Sequence, residues 1–310
     1  MEIKKILWAF DGSKESEYAL RYADLLARSH DSEILGLSVI QPVDTSKMNV
    51  PSEVKKELSS IESGREKKQL ERMKRAMAGL ELGEAKCDMR IEVGAPDEQI
   101  LRVAREEGAD LIVMGKRGLG LIDRVLVGST TLKVLRRSDV PVLAVKDKGV
   151  TGPVEIRSIL VPLDISEKLD SALVYAIELA RKLNARIFVL FVLRLESYAY
   201  EIPAGVLTED LMSVLEYLLK LSSLKLSKRV DDAKRKLGIL SNETFDVEIK
   251  TEAINGLNPA ISIADYASRN GIDLVVINTH GRKGIKRFIL GSVTEKVIQE
   301  SPCPVLVLRP

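Results

Sequence analysis

Four glycines crowd into the stretch "MGKRGLGLIDRVLVGST", which runs from Met114 to Thr130. Gly115, Gly118, Gly120 and Gly128 fall between an apolar run, "ADLIV", and the helical pattern "TLKVLRRS". Two chemistries fit this spacing. Glycines let the backbone approach an oxyanion with no Cβ in the way. Gly128-Ser129-Thr130-Thr131 opens the last helix, whose unpaired N–H groups and dipole favour an anion. The hydroxyls of Ser129, Thr130 and Thr131 can donate to phosphate oxygens, and Lys116, Arg117 and Arg124 bring positive charge. The plainer alternative makes the glycines turn residues and Ser129 an N-cap. These residues alone leave both open.

Several other chemistries lack their residues. No G-x-x-x-x-G-K-[ST] run is present, which argues against a P-loop, and no G-x-G-x-x-G follows the first strand pattern. Phosphoryl transfer needs a base, a metal clamp or an arginine finger. The acids expected beside the loop are Asp11, Asp164 and Asp123. His280 falls in a second glycine loop without a carboxylate partner, and His30 reads as a helix-end residue. No cysteine or histidine cluster suggests a metal. No catalytic residue is therefore assigned.

The bulk numbers narrow the class. The chain has 310 residues and 45% hydrophobic content, enough for two cored domains. Its net charge of +2 and 4% aromatics argue against a nucleic-acid binder. Cys87 and Cys303 form no C-x-x-C pair, so reduced, buried thiols in a cytoplasmic protein are expected. "MEIKKILWAFDGS" meets Asp11-Gly12 too early for a signal peptide. No apolar run is long enough to span a bilayer.

The chain repeats itself. "KKILWAFDGSKESEYALRYADLLARSH" aligns without gaps on "RSILVPLDISEKLDSALVYAIELARKL", so that Asp11 meets Asp164 and Tyr22 meets Tyr175. Near the ends Gly118 meets Gly281, Gly128-Ser129 meets Gly291-Ser292, and Pro141 meets Pro304. The extra residues of the second half fall between Leu193 and Pro259. Two domains are expected, 1–147 and 153–310, joined by the linker "KDKGVTGPVE".

Within each repeat, apolar strand runs alternate with helical patterns. Ile3 to Phe10 reads as a strand, with Trp8 in the core, and Ser13 as the N-cap of the next helix. Ala19, Tyr22, Ala23 and Leu26 recur along one helix face. "EILGLSVI" and "RIFVLFVL" are second strands; "CDMRIEV" and "FDVEIKT" are third strands. Between them lie charged helices, about 52–80 and 207–237, whose charges read as a solvated face. "APDEQILRVAREEG" is a helix, and "ADLIVM", "IDLVVI", "VPVLAV" and "CPVLVL" complete the strands. Such alternation implies an α/β fold with a parallel sheet covered on both faces. Ligands then bind beyond the carboxyl ends of the strands, where Asp11 and the glycine loop both fall.

The quoted runs, with "VGAPDEQI", "DLVVINTHGRKG" and the pattern G-x-x-G-x9-G-[ST], resemble universal stress protein domains in a tandem two-domain form. The resemblance covers nearly the whole chain. It implies two Rossmann-like (adenine nucleotide alpha-hydrolase-like) domains, each a five-stranded parallel sheet in order 3-2-1-4-5. It also implies pairing of the two domains through their last strands, as an intramolecular pseudo-dimer or a homodimer. The implied ligand is ATP or AMP, with or without magnesium, and the implied role is regulatory in a stress response. No nucleic acid and no membrane is implied as a partner. Carried over, Asp11 and the backbone of Val39 hold adenosine; Met114, Gly115, Gly118, Gly128, Ser129, Thr130 and Thr131 hold ribose and phosphates. The second-half counterparts are Pro162, Asp164, Val192, Ile277, Asn278, Gly281, Gly291, Ser292, Val293 and Thr294. Ala9 departs from the family's usual proline, and Asn278 replaces the first glycine of the second loop, which makes the first site the better candidate. A scaffold that binds no nucleotide, and a slow ATPase switch, are the alternative readings.

Overall fold

A computed structural model of the chain describes residues 2–42, 52–78, 87–118, 127–147, 149, 152–165, 171–194, 208–239, 246–279 and 290–309. Two compact units emerge, Glu2–Val154 and Glu155–Pro310. The first contains β1 (Lys5–Phe10), α1 (Lys14–His30), β2 (Glu33–Ile40), α2 (Ser52–Ala78), β3 (Cys87–Val93), α3 (Pro96–Glu106), β4 (Leu111–Gly115), α4 (Ser129–Arg137) and β5 (Val142–Val145). The second contains β6 (Ser158–Pro162), α5 (Ser171–Leu183), β7 (Arg186–Leu193), α6 (Thr208–Lys236), β8 (Ile249–Asn255), α7 (Pro259–Arg269), β9 (Leu274–Asn278), α8 (Ser292–Glu300) and β10 (Val305–Leu308).

All strand pairings within a unit are parallel. The first sheet runs β3-β2-β1-β4-β5. The second runs β8-β7-β6-β9-β10. β1 and β4 are buried almost throughout, as strands covered on both faces must be. Helices pack in pairs, α1 with α2 and α3 with α4, and α5 with α6 and α7 with α8 in the second unit. Among the described residues no helix is long and apolar enough to cross a membrane.

Local chemistry sets the ends of these elements. Ser13 is the N-cap of α1, and its Oγ accepts from the Ser16 N–H. The helix stops at Asp31, which takes the left-handed conformation at φ 56°. Ala19, Tyr22, Ala23 and Leu26 are buried along one face of α1. At the amino end of the sheet, the Asp110 carboxylate accepts from the Lys4 and Lys5 N–H groups, and Asp273 does the same for Arg157 and Ser158. These clamps fix β1 beside β4, and β6 beside β9.

Trp8 is fully buried in β1, and its indole N–H donates to the Ser16 carbonyl at 2.8 Å. Gly36 in β2 makes room for α2 above it. A Cβ there would lie 2.8 Å from Met73 Cε and 3.1 Å from Trp8 Cε3. This close seat sets the height of α2 over the carboxyl ends of the strands.

One strand differs from the sequence reading. "FDVEIKT" was the expected third strand of the second repeat, yet β8 spans Ile249–Asn255; Phe245 lies outside the described residues. The register is anchored at the far end. The Gly256 N–H donates to the Leu193 carbonyl at 3.0 Å, as the Gly94 N–H does to Ile40. The displacement is by an even number of residues, which keeps every side chain on its original face. Alternation therefore could not detect it.

Candidate functional site

The carboxyl ends of β1 and β4 meet around Asp11. Its Oδ1 accepts from the Ser13 N–H at 2.9 Å and from the Ser13 hydroxyl at 2.6 Å. That bond ties the carboxylate to the cap of α1 and fixes its direction. Gly12 follows with φ +82°, a conformation that favours glycine. Over it lies Arg72 of α2, whose Nη2 donates to the Gly12 carbonyl at 2.5 Å. A Cβ at residue 12 would fall 2.4 Å from the guanidinium.

The glycine loop is laced to the last helix. Thr131 Oγ1 donates to the Gly115 carbonyl at 2.9 Å, and the Gly128 N–H donates to the Lys116 carbonyl at 2.8 Å. Gly115 sits against the first turn of α1, where a Cβ would lie 3.0 Å from Glu15 and Ser16 backbone atoms. Gly118 faces Asp11. Gly128, and not Ser129, is the N-cap of α4, at φ −67° and ψ 147°. It has no side chain with which to cap, so the first-turn N–H groups of α4 have no side-chain acceptor at the N-cap.

Asp11, Val39, Met114, Gly115, Gly118, Gly128, Ser129, Thr130 and Thr131 all line one cavity of about 640 Å³. Three expected roles change. The Thr131 hydroxyl is committed to Gly115, so it braces the loop and does not point a donor at a phosphate. Lys116 is buried and is not among the residues lining the cavity. The Arg117 N–H donates to the buried Glu15 carboxylate, and its Nε lies 2.9 Å from Glu15 Oε1. Arg117 therefore reaches the cavity already ion-paired. Arg124, Asp123 and Gly120 lie outside the described residues.

The charged face of α2 was expected to meet only solvent. Arg65, Lys68, Gln69 and Arg72 instead line the cavity. They recur at i, i+3, i+4 and i+7, which puts them on one helix face. Leu37, Ile40, Ile100 and Met114 give the cavity an apolar side.

The second unit repeats three of these bonds. Thr294 Oγ1 donates to the Asn278 carbonyl at 2.9 Å, and the Gly291 N–H donates to Thr279 at 2.8 Å. Gly291 is the N-cap of α8, again without a side chain. Arg229 Nη2 donates to the Ile165 carbonyl at 3.2 Å, as Arg72 does to Gly12. The family model described as "Universal stress protein family" matches residues 2–146 and again 155–309. The chain belongs to the universal stress protein family.

Some relatives match the whole chain and others a single half. A universal stress protein of Mycolicibacterium smegmatis is 27% identical over 98% of this chain and 97% of its own. One from Methanocaldococcus jannaschii is 31% identical over 49% of this chain and 82% of its own. The crystal structure of a universal stress protein from Archaeoglobus fulgidus shares the fold, with a TM-score of 0.62 and 22% identity over 98% of this chain and 96% of that one.

The two halves of this universal stress protein differ in side chains. Pro162 and Asp164 close β6, Val192 lies in β7, and Ile277 and Asn278 end β9. Gly291, Ser292, Val293 and Thr294 open α8, with Val293 exposed where the first unit has Thr130. Asn278 is buried, and its Oδ1 accepts from Ser171 Oγ at 2.8 Å. Ser171 lies in α5 and aligns with Tyr18 of α1. Gly281, His280 and the basic residues after them lie outside the described residues.

The remaining candidates fall away from the site. Trp8 is core, as expected. His30 Nδ1 is 3.1 Å from the Leu26 carbonyl in the last turn of α1. Cys303 is buried and Cys87 half-buried at the start of β3, both as thiols. Among the described residues no cluster of His, Cys, Asp or Glu is placed to hold a metal.

Proposed function

We propose that the Glu2–Val154 unit binds an adenine nucleotide, ATP or AMP, and that occupancy regulates what this universal stress protein does. One observation carries the reading: the mouth of α4, with Gly128 as N-cap, opens into the same cavity as Asp11 and four cationic side chains. Uncapped amides and a helix dipole favour a phosphate. With Arg117 paired to Glu15, Arg65, Lys68 and Arg72 still outnumber the single lining carboxylate, Asp11, among the described residues. The apolar side formed by Leu37, Ile100 and Met114 suits a purine, and Asp11 accepts from ribose hydroxyls. In this reading Val39 offers backbone groups to the adenine, and Gly115, Gly118, Ser129 and Thr130 embrace ribose and phosphates.

Calorimetry and thermal shift with ATP and AMP test the reading. Saturable heat and a raised unfolding temperature are the expected results. No heat and no shift at millimolar ligand would reject it. For the second unit a structural role has specific support, because Asn278 places a buried side chain where the first unit has Gly115. There Asp164, Val192, Ile277 and Gly291 to Thr294 keep the frame, and the first unit carries the ligand.

A further inference from the structure

We infer that α2 reads the length of the phosphate tail: Arg65 and Lys68 bind the outer phosphates of a nucleoside triphosphate, so the first unit holds ATP in preference to AMP. This rests on the nucleotide reading above and adds a specificity surface to it. Arg72 is committed to the Gly12 carbonyl and pins α2 over the loop that carries Asp11. Lys68 and Arg65 lie one and two turns further along the same face, about 6 and about 10 Å from Arg72 at 1.5 Å per residue. Both line the same cavity as Gly128, Ser129 and Thr130 at the mouth of α4. In this inference a tail with two further phosphates reaches that wall and a monophosphate does not.

The second unit supplies an internal comparison. Its long helix keeps the pin, with Arg229 on Ile165. Aligned on those arginines, the buried Met73 meets the buried Val230, and Ala76 meets the buried Ala233. In the same alignment Lys68 meets the exposed Lys225, but Arg65 becomes Ser222 and Gln69 becomes Leu226, at 3% and 0% exposure. A helix in this place can therefore cover its sheet without the groups of Arg65 and Gln69. The fold does not require a cation at residue 65, and Arg65 is what sets the first unit's wall apart.

The test is calorimetry with ATP, ADP, AMP, adenosine and inorganic tripolyphosphate, on the full chain and on the R65A/K68A double variant. Both positions are exposed, so the variant keeps its fold, and circular dichroism checks that it does. The expected result is tighter binding of ATP than AMP by the native chain. In the variant ATP weakens about fivefold or more while AMP changes by less than about twofold. Raising salt narrows the ATP advantage in the native chain and has a smaller effect in the variant. An unchanged ATP-to-AMP ratio in the variant overturns the inference and leaves the nucleotide reading standing. Binding of tripolyphosphate, lost in the variant, without binding of any nucleotide or adenosine overturns the nucleotide reading and keeps the wall. No binding in any arm overturns both.

Discussion

Gly118 leaves no room for a side chain beside Asp11: a Cβ at residue 118 would lie 2.5 Å from Asp11 Oδ2. Its φ does not lie in the left-handed region, so the backbone itself accepts alanine. The atom in the way ends a side chain and can swing aside, at the cost of the Ser13 bonds that Oδ1 of the same carboxylate accepts. Gly118→Ala should therefore fold with a loss of about 1 kcal/mol or less. It should bind nucleotide about tenfold more weakly, because the displaced carboxylate no longer meets the ribose. Calorimetry beside a denaturant melt reads both numbers. Unaltered affinity would show that Asp11 takes no part.

At Gly128 stability and affinity should move in opposite directions. A Cβ there meets nothing closer than 3.6 Å, so a larger residue fits. Gly128→Asp supplies the cap that α4 lacks and a negative charge at its positive end, worth about 0.5 kcal/mol of added stability. The same carboxylate occupies the amides that would hold the phosphate, so nucleotide binding should fall below detection. A variant that is more stable and still binds would move the phosphate elsewhere.

Much of this site could be read from the sequence because its chemistry is local. Gly128-Ser129-Thr130 announces a helix mouth by residue type, and Asp11-Gly12-Ser13 announces a strand end and a cap. The fold followed from runs whose periods are strong, such as "EILGLSVI", which is β2 to the residue. What escaped is contact over distance. Lys68 looks the same in a sequence whether its helix face meets water or a cavity. The partner of Thr131 is a backbone carbonyl sixteen residues away, which no side-chain pattern records. The register of β8 hides in an even displacement, for which alternation has no signal.

Occupancy should be one nucleotide per chain. In the first unit Gly115 keeps clear the space beside Glu15 and Ser16. In the second, Asn278 is buried and bonded to Ser171, and the helix above carries Leu226 in place of Gln69. Gly291→Asp should stabilise α8 by the same cap, about 0.5 kcal/mol, and leave the binding isotherm unchanged. Two equivalent sites in the native chain, with one lost in this variant, would make the halves equal partners.

Cys87 offers a check on the electrostatics at the opposite edge of the first sheet. Burial pushes its thiol above the ordinary value of 9.0, and the nearby carboxylates of Asp24 and Asp88 push it further, because each disfavours a second negative charge. The thiolate is the nucleophile, so alkylation at pH 8 should be several-fold slower in the folded chain than in the chain unfolded in denaturant. The rate should keep climbing beyond pH 9. Replacing Asp88 with asparagine removes one repelling charge and should speed the reaction at pH 8 without touching the Asp24–Arg28 pair. Cys303, at 1% exposure, should stay unlabelled in the folded chain and react only once the chain is unfolded, which makes it the control for folding in the same digest. A Cys87 that reacts as fast folded as unfolded would mean that neither its burial nor the two carboxylates govern it.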